Sequence, residues 1–90
     1  MKSVEIEDLA LTLNIHMDKI AYLDSLLKRA PDDAILLMKL NNCFDEEVEG
    51  YFKVKEELLS SLSKYIDKEK EENLPINLSY RNLYKVLRTV

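Results

Sequence analysis

The stretch Asp32–Glu72 reads DDAILLMKLNNCFDEEVEGYFKVKEELLSSLSKYIDKEKEE, and its apolar residues hold one helical phase from end to end. Ala34, Leu37, Phe44, Val48, Tyr51, Leu58, Leu62 and Tyr65 follow alternating steps of three and four, with Asn41 and Lys55 filling the two polar gaps. Residues so spaced share one face of an α-helix. A second row, Met38, Phe52, Leu59 and Ile66, runs beside the first. The stripe is therefore wider than a two-stranded coiled-coil seam and predicts packing against more than one neighbour. Gly50, the only glycine in the chain, falls inside the stretch without shifting its phase. The expectation is one continuous helix carrying about 1 kcal/mol of weakness at that point.

Upstream, Ile6, Leu9, Leu13, His16, Ile20, Leu23, Leu27 and Ala30 follow the same heptad steps. Ser3 can cap this helix, Glu5 and Glu7 suit its positive end, and Lys28 with Arg29 suit its negative end. The boundary Ala30-Pro31-Asp32-Asp33 ends it, because proline disfavours helical geometry in the residue before it. Asp32 can then cap the long helix with Asp33 in its first turn. So short a connection makes the two helices antiparallel.

Length sets the next constraint. A first helix of about 40 Å cannot cover a second of about 60 Å, which leaves the long helix bare from about Leu58 onward. Downstream, Asp67-Lys68-Glu69-Lys70-Glu71-Glu72 reads as a solvated helix end, stopped by Asn73-Leu74-Pro75. Asn77 or Ser79 can cap a short third helix whose Leu83, Val86, Leu87 and Val90 supply the missing cover. The prediction is an all-α fold: an antiparallel hairpin with one long central helix and a short C-terminal helix, a three-helix bundle that dimerises. It occupies a single domain over residues 1–90, with helices near 4–30, 32–72 and 79–89.

Composition narrows the chemistry. Of the 90 residues, 47% are hydrophobic and 33% charged, and one glycine and two prolines leave little turn material for sheets. The net charge of −4 is uneven, since residues 74–90 hold Arg81, Lys85 and Arg88 and no acid. The single cysteine, Cys43, makes no internal disulfide and suits a reducing compartment. It reads as a small buried hydrophobe. The opening residues lack the apolar core of a signal peptide and no run spans a membrane, so a cytoplasmic protein is expected.

One histidine and one cysteine fall short of a zinc set, and no calcium-loop spacing is present. No catalytic, cofactor-binding or metal-binding residue is assigned, and no enzyme is expected. His16, Asn41 and Lys55 read as polar register residues within apolar seams. The acids Asp45, Glu46, Glu47 and Glu49 read as a solvated face. Leu58, Leu62, Tyr65, Tyr80, Arg81, Tyr84, Lys85 and Arg88 are the candidate partner-binding residues.

The run Leu9–Leu23 resembles a DNA-binding helix-turn-helix, with Ala10 four residues before a turn position held by Asn14 instead of the usual glycine. That resemblance implies a DNA-binding regulator with the long helix as dimerisation element. The outward residues argue against it, because Lys19 is the only phosphate-neutralising charge among them and Asp18 repels the backbone. In architecture alone the chain resembles small regulators, anti-factor proteins and secretion or phage accessory proteins. The preferred expectation is a non-enzymatic regulator or adaptor that binds protein through an exposed helical seam, as a homodimer and with a further target. Nucleic acid and membrane are disfavoured as partners.

Overall fold

The computed structural model describes residues 3–29 and 32–89. The Ala30–Pro31 boundary, Val90 and the side chain that would let Ser3 cap the first helix lie outside the described residues. Three helices make up the fold: α1, Ser3–Lys28, of 26 residues; α2, Ala34–Glu72, of 39; and α3, Leu78–Thr89, of 12. No strand is present among the described residues.

Local chemistry sets the ends of these helices. The N-cap of α2 is Asp33, one residue later than the sequence reading placed it. Its Oδ1 accepts the backbone N–H groups of Ile35 at 3.0 Å and Leu36 at 3.2 Å, two donors that lack helical partners. At the other end Asn73 takes the left-handed conformation, φ 53° and ψ 40°, which asparagine tolerates better than most residues. Asn77 caps α3 by accepting the N–H of Tyr80 at 3.1 Å. Between these ends α2 runs without a break through Gly50.

Both α1 and α3 pack on α2. The molecule is a rod of 59 × 19 × 17 Å, as long as α2 alone at about 1.5 Å per residue. Helices α1 and α3 do not pack side by side on one another. Instead α1 and α3 lie end to end along α2, and they meet over Leu58 and Leu62. Ile6 from α1 and Leu87 from α3 join those two leucines and Leu13 in one buried cluster.

This arrangement corrects the sequence reading at several residues. Leu58 and Leu62, offered as partner-binding residues, are fully buried in the chain's own core. In α3 it is Leu87, Leu83, Tyr80 and Tyr84 that turn toward the cluster, while Val86 is exposed. Cys43 and Asn41 are exposed rather than buried in a seam. Asn41 is open because α1 is one helix wide and covers only one edge of the broad apolar stripe of α2, whereas Leu58 and Leu62 are closed because α1 and α3 both reach them.

Leu58 tests the cluster. Leu58→Ala is expected to cost about 3 kcal/mol, the usual cost of a buried leucine truncation, and so much of the stability of a small domain. Met38→Ala, at an exposed position, is expected to cost less than about 0.5 kcal/mol in a dilute solution of the single chain. Urea unfolding followed by circular dichroism reads both values.

Candidate functional site

Two polar clamps fix the three helices, and an open apolar groove lies beside the first of them. That clamp joins α1 to α2. His16 Nδ1 lies 2.7 Å from Glu47 Oε2, and Lys19 Nζ lies 3.8 Å from Glu47 Oε1. Gly50 stands one helical turn from Glu47, and the imidazole packs where a side chain at residue 50 would be: a Cβ there would meet His16 Cε1 at 2.7 Å. Glycine is thus needed for close approach and not for a turn. His16 and Glu47 hold a hairpin register, and the rest of the acidic run, Asp45, Glu46 and Glu49, is exposed.

The second clamp joins α3 to α2. Glu69 was read as part of a solvated helix end, yet it is 2% exposed. Its Oε1 accepts Arg81 Nε at 3.2 Å and Nη2 at 3.1 Å, and its Oε2 accepts the Asn77 backbone N–H at 2.8 Å. Its backbone carbonyl accepts the N–H groups of Asn73 and Leu74, the latter at 3.0 Å. One residue therefore closes α2, shapes the linker and seats α3. Tyr65 and Tyr80 meet edge to face beside it, with ring centroids 5.0 Å apart. A signal for this existed in the sequence: Glu69 continues the steps Leu58, Leu62, Tyr65, so it falls in phase with the buried face.

The predicted site residues therefore divide. Arg81, Tyr65, Tyr80 and Tyr84 serve the α2–α3 contact. Lys85 and Arg88 are exposed, with the Arg88 guanidinium 5.4 Å from the Tyr84 ring centroid. Lys55 is buried, its ammonium 5.9 Å from the Tyr51 centroid and 6.0 Å from that of Phe52. The helix-turn-helix reading is corrected too, because α1 is helical straight through Asn14 and no turn sets off a recognition helix.

Sequence reasoning did not single out the groove. Met17, Ile20 and Ala21 of α1 and Phe44, Val48, Tyr51 and Phe52 of α2 line a hollow of about 380 Å³, with Asp24 its one charged lining residue. Met17 and Val48 follow His16 and Glu47 directly, so the first clamp sets the relative height of its two walls. Its length, eight residues of α1 and nine of α2, is about 12 Å. A second hollow of about 490 Å³ lies where Tyr65 meets the linker and the first residue of α3, residues 74–78. Among the described residues no group of three or more His, Cys, Asp or Glu side chains could hold a metal ion, and no helix is long and apolar enough to cross a membrane. No protein-family model matches the chain, and no curated protein or solved structure matches it.

Two variants probe the clamps. Gly50→Ala improves helix propensity by about 1 kcal/mol but collides with the imidazole. It should therefore stabilise the protein by that amount when His16 is also replaced by alanine, and fail to do so when His16 is present. A double-mutant cycle by chemical denaturation measures the coupling. Arg81→Ala leaves the buried Glu69 carboxylate without its cation and should cost about 3 kcal/mol. Restoration of most of that loss by the added change Glu69→Gln would confirm that the uncompensated charge is the cause.

Proposed function

We propose that this protein is a non-enzymatic regulator or adaptor that works by protein–protein binding, with the α1–α2 groove taking a helix of a target and a second copy covering the outer side of α1. The observation that carries this reading is the distribution of apolar surface. Among the described residues five hydrophobic side chains are buried while twelve large ones are exposed, and on α1 three of the four exposed ones, all but the groove residue Met17, share one side. Leu11, Ile15 and Tyr22 fall within about 40° of one another around the helix and half a turn away from Ile6, Leu13 and Ile20. Leu11 is 62% exposed and Tyr22 66%. A helix that is apolar on opposite sides is a helix meant to be covered on both.

Charge favours an antiparallel pairing of two α1 helices. Glu5, Glu7 and Asp8 stand at the start of α1 and Lys28 and Arg29 at its end, all exposed. Antiparallel packing sets acid against base at both ends of a two-fold interface, whereas parallel packing sets like against like. The groove, with Met17 and three aromatic rings, has the adaptable, low-entropy side chains that recur at helix-binding surfaces.

The two surfaces separate experimentally. Sedimentation equilibrium should give a dimer for the native chain and a monomer for Leu11→Lys/Tyr22→Lys, with helix content unchanged by circular dichroism. A native chain that stays monomeric refutes the self-association. Proteins captured from extract by the native chain should be lost with Phe52→Ser and kept with Leu11→Lys/Tyr22→Lys, and the reverse pattern refutes the groove as the target site.

A further inference from the structure

We infer that the occupant of the α1–α2 groove is a basic amphipathic helix of a partner protein, apolar on the side that enters and carrying lysine or arginine on its flanks. This rests on the reading of the groove as the target site and adds the chemistry of what it takes. The floor is apolar and aromatic, and its edges are acidic. On α2, Asp45, Glu49, Phe52 and Glu56 are spaced by four, three and four residues and so share one face. Phe52 lines the groove, and the three acids that flank it are exposed. On α1 the lining carboxylate is Asp24.

The chain's own cations leave that edge open. Lys28 lies 3.0 Å from Asp24 in an exposed pair, which is worth little and exchanges readily. Asp45, Glu49 and Glu56 have no ion-pair partner among the described residues. The groove's length of about 12 Å matches apolar anchors at i, i+3 or i+4, and i+7 of an entering helix, which span about 10 Å. A second copy fits less well, since two copies facing groove to groove set one acidic edge beside the other.

The test uses the full chain and fluorescent synthetic peptides read by anisotropy. The first peptide is a short helix with leucines at i, i+3, i+4 and i+7 and lysines elsewhere. The second has every lysine replaced by glutamate, and the third has the composition of the first with the leucine stripe scrambled. The basic amphipathic peptide should bind with an affinity that falls as salt rises, and the acidic one should bind at least about a hundredfold more weakly. Phe52→Ser, at an exposed position, should weaken the basic peptide by about tenfold or more, and Asp45→Asn/Glu49→Gln/Glu56→Gln should reduce both its affinity and its salt dependence. Circular dichroism confirms that the variants are folded.

Each contrary result has a distinct meaning. If the acidic peptide binds as tightly and both are lost with Phe52→Ser, the groove takes a helix but the basic character is overturned. Equal binding of the scrambled peptide, or no change in the triple variant, also overturns it. Conversion of a native dimer to a monomer by Phe52→Ser would make a second copy the occupant and refute the proposal. If no peptide binds, the groove reading falls with it.

Discussion

A helix of 39 residues cannot be covered by a neighbour of 26, and the whole organisation of this protein follows from that mismatch. At about 1.5 Å per residue some 20 Å of α2 extends past α1, and the 12-residue α3 is about long enough to cover it. The two covering helices meet over Leu58 and Leu62, where Ile6 and Leu87 close the cluster. That junction is the best-buried place in the molecule because it alone receives side chains from three helices. Everywhere else the rod is two helices thick, and a two-helix layer leaves at least one flank of each helix in contact with water.

Thin packing puts unusual weight on polar geometry. Apolar contact between two helices is non-directional and permits sliding along the seam, so each contact carries a polar clamp that fixes its register. The His16–Glu47 clamp requires a glycine, because the imidazole occupies the space of a side chain at position 50. The Glu69–Arg81 clamp requires that its carboxylate be fully satisfied, since a buried charge lacking partners costs several kcal/mol. Both oxygens of Glu69 and its backbone carbonyl are engaged, so the burial is tolerated.

These two clamps also mark where the sequence is legible and where it is not. Helix periods, the capping aspartate to within one residue, the stop at Asn73 and the role of the tail as cover are local or length-based, and they can be read directly. The wide stripe on α2 offers two adjacent rows in the same phase, and nothing local says which row α1 covers. Asn41 was misplaced for that reason, and Cys43 because a small apolar residue beside Phe44 reads as buried although it lies in neither row. Glu69 was hidden by composition, because a run of six charged residues looks solvated unless its phase is followed past Tyr65. Gly50 could be read as a weak point but not as a seat for His16, since the pairing of residues 34 apart depends on the register of the hairpin. The groove was invisible for the same reason: its walls come from two helices whose relative height only the clamp fixes.

On the proposed reading, stability and binding are connected in this molecule. The α2 side chains that line the groove belong to the part of the stripe that α1 leaves uncovered, so a helix seated there would complete the layer that α3 completes farther along. Such an occupant removes apolar surface from water in the folded chain and has no counterpart in the unfolded one, and by mass action it stabilises the fold as it binds. On the proposed reading the acidic edge would decide which occupants are accepted, because a cationic flank is attracted while an anionic one must approach like charges across a low-dielectric floor. A chain that instead closed this flank with its own residues would gain stability and lose the surface, and the length of α1 and its single-helix width leave that flank open.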